Sequence, residues 1–434
     1  MKSDFDDELS FSAAFPLPFR VLFLVALGIL GWAANLHGLH LWGIDAAGVL
    51  DLSPYETGSG GAYRLTSPLP TAERRKAAPS SSSSSSPSGG GAPHHLPVYR
   101  LAGWFAGWAG GAWALYAYAT GAGAVDAVDA YKFVPGVAAL VALTALACPL
   151  RVLHKAQRDK FLTAIHRCVF PSPHGVYFSD VVFADILTSF AKVLGDVWLS
   201  VYMLLPGGSL LAQPAQDGLT RWVLPTIMSL PYAIRLRQCL VEYNSPSNTS
   251  RRPLYNALKY ASSFPVIFLS AAQRIVAADE AWHGEHHLFR LWLLAAAVNS
   301  LYSFWWDRSG AASPDVSVRL RPTLLYPLAV YPLAILVDLI LRLTWSASWR
   351  PDHLWIELAE VVRRWMWVFL RVEWETVKEA RPTRSPPPGP RSAGLAADPS
   401  EGEAIALECR ESYRDPIFET DEFEAVPSER IGPK

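Results

Sequence analysis

The sequence predicts an all-α, polytopic transmembrane helical bundle of about nine spans, and three observations carry that prediction. The chain of 434 residues is 51% hydrophobic and 18% charged, against about 25% charged residues in an ordinary soluble protein. It holds seventeen tryptophans and has a mean hydropathy of +0.16, although a serine-rich insert and a polar tail dilute the average. Nine apolar stretches are long enough for a helix to cross a hydrocarbon core of about 30 Å.

In chain order these stretches fall near 17–42, 98–120, 132–150, 176–205, 219–240, 254–275, 287–306, 323–345 and 354–373. Residues 1–51 form an N-terminal segment with the first span. Its leader is acidic (Asp4, Asp6, Asp7, Glu8) and no small-x-small site follows, so it reads as a retained span rather than a cleaved signal peptide. Residues 52–97 contain a serine run from Ser80 to Ser86, then Pro87 and Gly89 to Gly91. Such a composition cannot build a core and predicts a disordered cytosolic loop. Residues 98–175 hold two spans and a basic loop, residues 176–380 the membrane core, and residues 381–434 a disordered cytosolic tail. Counts of eight or ten also fit, since a short crossing near 151–170 is compatible with the sequence.

Lysine and arginine set the orientation. Arg64, Arg74, Arg75 and Lys76 follow span one; Arg151, Lys155, Arg158, Lys160 and Arg167 follow span three. Arg251 and Arg252 follow span five, and Arg308, Arg319 and Arg321 follow span seven, whereas 121–131 and 206–218 carry no lysine or arginine. With nine spans this places the N-terminus in the lumen or outside and the C-terminus in the cytosol.

A net charge of −1 and a pI near 6.8 leave no field for a polyanion and exclude nucleic acid as a partner. Cys148, Cys168, Cys239 and Cys409 have neither disulfide nor zinc spacing. His283, Glu285, His286 and His287 do not form an HExxH pattern and read as a solvated lumenal loop rather than a zinc site. There is no Walker loop, GxSxG elbow or dinucleotide fingerprint, so neither an enzyme nor a cofactor or metal is expected.

The informative feature is charge inside the spans, which costs free energy and therefore meets a partner or a hydrated path. Asp185, Ser189, Lys192 and Asp196 share one helical stripe, as do Asn256, Lys259, Tyr260 and Ser263. Asp338, Arg342 and Trp345 repeat a similar step in span eight, and span nine carries Glu360, Arg363, Arg364, Arg371 and Glu373. For Arg235, Arg237, Arg371 and Glu373, near span ends, snorkelling to the interface competes with a functional role. The deeper groups predict a polar pathway, and basic N–H donors suit an oxyanion. Charge alone leaves sulfate open beside phosphate.

Four motifs then resemble one family in order: RLRQCLVEYN (235–244), PLYNALKYASSF (253–264), LLYPLAVYPLAILVDLILRLTW (324–345) and VVRRWMWVFLRVEWE (361–375). Together they resemble the EXS family of phosphate exporters and fungal ER-retention-defective Golgi proteins. Membrane spans begin by about residue 17, without the SPX domain of the exporters, which is similar to the fungal Golgi branch. The resemblance implies a Golgi multi-pass protein, cycling with the ER or not, that returns inorganic phosphate released by glycosylation to the cytosol and supports retention of ER and Golgi residents. It further implies that Lys259, Tyr260, Arg342, Trp345, Arg363 and Arg364 bind phosphate, while Asp185, Arg235, Asp338 and Glu360 orient them. The family's patterns differ here at Thr188, Val241-Glu242, Val368 and Trp374. Inorganic phosphate and membrane lipid are the expected partners, with Golgi glycosyltransferases or coat adaptors reached through cytosolic segments; a homodimer is left open. A sorting scaffold without transport is the rival reading.

Overall fold

A computed structural model describes residues 9–44, 46–50, 94–170, 176–212, 220–246, 248, 250–278, 285–311, 325–347 and 353–380. The insert 52–97, apart from residues 94–97, and the tail beyond 380 lie outside the described residues. All regular structure among the described residues is helical.

Four helices of fifteen residues or more precede the core: α1 (Leu17–Leu41), α2 (His95–Ala119), α3 (Phe133–Ala147) and α4 (Lys155–Val169). The core follows as α5 (Phe178–Ser189), α6 (Ala191–Leu204), α7 (Thr220–Tyr243), α8 (Arg252–Ala261), α9 (Ser263–Ala278), α10 (Glu285–Ala311), α11 (Val330–Ala347) and α12 (His353–Ala380). Every expected apolar stretch is thus helical, but two of them are interrupted. The stretch 176–205 breaks at Phe190 and 254–275 breaks at Ser262. Pro265 sits in the first turn of α9, where its missing N–H costs no intrahelical bond, which suits a helix restarting there.

The core helices close on themselves. α5 packs on α7, α7 on α8 and α9, α9 on α10, α10 on α11, α11 on α12, and α12 back on α5. α1 lies outside this ring, against α6 and α12, with α2 and α3 packed on its other side. Gly28 and Gly38 permit that approach. A Cβ at Gly28 would stand 2.7 Å from Phe190 Cζ, and one at Gly38 would stand 2.6 Å from Phe369 Cε1. The ring at the α5–α6 break therefore sits in the space that Gly28 leaves.

Polarity is arranged inside out. Leu294, Leu301, Leu333, Leu336 and Ile340 face outward from α10 and α11, and Trp104 and Leu143 do so from α2 and α3. Asp185, Arg235, Arg363 and Glu373 are buried. An apolar exterior around buried charge is what a lipid solvent selects. Among the described residues only α1 is both long and apolar enough to cross a membrane by composition; α3 is apolar but shorter.

Two end-of-span groups are not at an interface. Glu373 is 2% exposed; its carboxylate accepts the Tyr331 hydroxyl and, at 2.8 Å, the Leu325 N–H, so it fastens the chain entering α11 onto α12. Arg237 donates to the carbonyls of Cys168 and, at 2.9 Å, Val169. Snorkelling describes neither residue, because each has a protein partner in place of water. Arg371 pairs with Glu375 at 3.4 Å and stacks over Trp374, with its guanidinium 4.6 Å from the ring centroid.

Candidate functional site

The charged residues of five core helices meet in one connected chain. It starts at Asp185 on α5, whose carboxylate accepts Arg235 Nε of α7 at 2.6 Å and the Tyr260 hydroxyl of α8 at 2.5 Å. Arg235 lies face-on over the Tyr260 ring at 4.9 Å, and Lys259 Nζ lies 4.6 Å from the same ring. Arg235 also donates to Gln238 Oε1 at 2.5 Å. All of Asp185, Arg235 and Tyr260 are at most 5% exposed. A pair so deep is held by its hydrogen bonds, since Coulomb attraction alone does not repay desolvation.

The next link is Arg364 of α12. It donates from Nε to Ser189 Oγ at 3.0 Å and from Nη2 to Thr188 Oγ1 at 3.0 Å. Thr188 in turn donates to the Asp185 carbonyl at 2.7 Å, and the Tyr232 hydroxyl donates to the Thr188 carbonyl at 3.3 Å. Threonine at this position thus still offers Arg364 an acceptor. The hydroxyls are neutral, so Arg364 faces no carboxylate at bonding distance among the contacts described and keeps its charge for another anion.

Beyond Ser189 the chain continues through Glu360, Arg363, Asp338 and Arg342. Ser189 Oγ donates to Glu360 at 3.4 Å; Arg363 grips Glu360 at 2.7 Å and Asp338 at 3.5 Å. Arg342 Nε reaches Asp338 at 2.7 Å, one turn along α11. Glu360 and Arg363, three apart on α12, form the local pair expected of helical spacing. The chain therefore runs across α5, α7, α8, α11 and α12, the helices that close the ring.

Of the ten residues singled out from sequence, nine sit in this chain. Trp345 belongs to α11, but its side chain lies outside the described residues. Five bases (Arg235, Lys259, Arg342, Arg363, Arg364) face three acids (Asp185, Asp338, Glu360), an excess of two positive charges. Paired arginines with exchangeable partners can turn their N–H forks toward an incoming oxyanion while the acids hold their geometry. Sequence reasoning missed Asn299, whose Oδ1 accepts Ser262 at 2.8 Å and Ser263 at 3.3 Å, bracing the α8–α9 break from α10. No group of three or more metal-ligating side chains occurs among the described residues; His283 and the side chains of Glu285 and His286 fall outside them. Cys148, Cys168 and Cys239 are free thiols.

Fold and site together define a helical ring around a basic, hydrogen-bonded interior. A family model described as the EXS family matches residues 15–377, and the chain belongs to that family. The match takes in α1 to α4 as well as the ring. Among relatives, the chain is 32% identical over 229 residues to Protein ERD1 homolog 1 of Schizosaccharomyces pombe, covering 46% of this chain and 58% of that protein. It is 28% identical over 242 residues to Protein ERD1 of Saccharomyces cerevisiae, covering 52% and 62% respectively. Phosphate transporter PHO1 homolog 1 of Arabidopsis thaliana is 26% identical over 272 residues, 57% of this chain and 33% of that protein. The matched regions thus span less than two thirds of these relatives.

Proposed function

We propose that this protein passes inorganic phosphate through the ring of core helices, from the Golgi lumen to the cytosol. The single observation that carries the reading is that five bases outnumber three acids along one connected, largely interior chain of described side chains. A phosphate dianion neutralises that excess. The similarity to a protein named a phosphate transporter supports the choice of anion, and the likeness to ERD1 proteins supports a role in the secretory pathway.

In this reading about nine crossings place the N-terminus in the lumen and the C-terminus in the cytosol. Arg364, held by two neutral hydroxyls, engages phosphate first. Arg342 and Arg363 share Asp338 and exchange it for a phosphate oxygen, and Lys259 with Tyr260 lines the adjoining stretch. Asp185 and Glu360 keep the bases from binding so tightly that release stalls. Returned phosphate would support glycosylation and so the retention of resident enzymes. No catalysis is assigned to the chain.

Binding of radiolabelled phosphate to the purified, detergent-solubilised protein tests the reading. Loss of one charge-assisted contact, about 1.5–3 kcal/mol, predicts roughly ten- to hundredfold weaker binding for Arg364→Ala. Equal binding by the folded variant and the wild type refutes the assignment.

A further inference from the structure

A second charged cluster stands about one turn beyond the phosphate chain, on α6 and α12. Lys192 of α6 contacts both Asp196 Oδ2, at 3.3 Å, and Glu357 Oε1 of α12. Glu357 and Asp196 are buried, 4% and 7% exposed, while Lys192 is partly open. Two carboxylates share one ammonium, so the cluster carries one negative charge in excess. The phosphate chain carries two positive charges in excess, and the helix break at Phe190 separates Ser189 from Lys192.

Among the described contacts, Lys192 is the cation that pairs with Asp196 and Glu357. On α12 the next ionisable groups are Glu360 and Arg363, already gripping each other at 2.7 Å, and Arg363 also reaches Asp338 of α11, which holds Arg342. On α5 the facing group is the Ser189 hydroxyl, engaged with Arg364 and Glu360. On α1, Val21 and Leu24 pack with Val193 of α6 and Leu354 of α12, and the adjacent Arg20 donates to the Phe15 carbonyl and the Ser12 hydroxyl. On α7, Arg221 stands in the first turn, and Tyr232 bonds Thr188.

We propose that Lys192, Asp196 and Glu357 form an electrostatic gate at the lumenal side of the phosphate path, open to the anion when the two carboxylates share a proton. The inference rests on the phosphate-transport reading and its orientation, which put α6 and the start of α12 toward the lumen. With both acids ionised the cluster repels an approaching anion. One proton, taken from lumenal water and held on either carboxylate, leaves the cluster neutral, and the basic chain then draws the anion inward. An acidic lumen would therefore favour passage toward the cytosol.

The test measures radiolabelled phosphate flux in proteoliposomes as lumen-side pH is lowered from about 7.5 to about 6, where a single titrating group changes occupancy by up to roughly tenfold per pH unit. Wild-type flux should rise several-fold. Glu357→Gln and, independently, Asp196→Asn each leave one acid and one base, so each should show raised flux at the higher pH and a flattened profile. Because wild type and variants meet the same phosphate species, the comparison cancels the titration of phosphate itself. Variants that fold and keep the wild-type slope, or that conduct at no pH, overturn the gate while leaving the transport reading intact. Absence of flux in folded wild-type protein overturns the transport reading and the gate with it.

Discussion

Two basic residues of the N-terminal shell, Arg158 and Lys132, and the arginines of the charged chain in the core ring are bound in opposite ways. In the shell, Arg158 of α4 donates to six backbone carbonyls, from Ala145 to Leu153, and so caps the end of α3. Lys132 likewise donates to the carbonyls of Leu205 and Gly208. In the ring, Arg235, Arg342 and Arg363 are bound to carboxylates, and Arg364 to hydroxyls. A carbonyl has no alternative donor once its helix ends, so a base that caps it is fixed. A side-chain acceptor can rotate away, and its base can then serve a passing anion. The comparison teaches that burial of a cation does not by itself mark a pathway; the mobility of its partner does.

Breaking the most deeply buried pair should have the largest effect. Asp185→Ala strands Arg235, and removal of one partner from a buried pair costs about 3–5 kcal/mol. Thermal unfolding of the purified variant should show a large fall in Tm, and an unchanged Tm would place the pair at the surface in solution. Next comes the shell: Arg158→Met leaves six carbonyls short of a donor, and about 1–3 kcal/mol for each unsatisfied buried group is an upper guide, as water reaches some of them. Its Tm should fall while phosphate binding by the folded fraction stays at the wild-type level. A fall in phosphate affinity would erase the distinction drawn between shell and ring.

A smaller effect sharpens the boundary between the two regions. Gly28→Val pushes on Phe190 at the α5–α6 break, and overpacking of this kind costs about 1–3 kcal/mol. The replacement should lower Tm and also slow phosphate flux, since Phe190 joins Ser189 to Lys192. The smallest effect is expected at the exposed Lys155–Asp159 pair of α4, 2.5 Å apart. Lys155→Met should change stability by no more than about 0.5 kcal/mol, within the error of a chemical or thermal melt.

Much of this architecture is legible in the sequence, for physical reasons that differ by element. Apolar length located every long helix except α4, because a bilayer solvent demands it; α4 is too polar to show that signal. Spacing placed Asp185 and Ser189 on one face and Asp338 with Arg342 on another, and the ring brings both faces to α12. The break at Ser262 has a signal in Pro265, whereas the break at Phe190 has none nearby; its ring lies in the space at Gly28, more than 160 residues away. Glu373 reads from sequence as a span-end carboxylate, and its burial depends on Tyr331 of another helix. Glu357 was equally silent, although its three-residue spacing to Glu360 puts both acids on one face of α12. Which cations meet carbonyls and which meet carboxylates is a property of the tertiary contacts alone.

The central claim is that the ring's exchangeable cations carry phosphate. It is tested most directly by uptake of radiolabelled phosphate into liposomes containing the purified protein, with Arg342→Ala, Arg363→Ala and Arg158→Met compared side by side at equal folded amounts. Saturable uptake in the wild type, lost in the two ring variants and kept in Arg158→Met, is the predicted result. Uptake that survives both ring substitutions would contradict it.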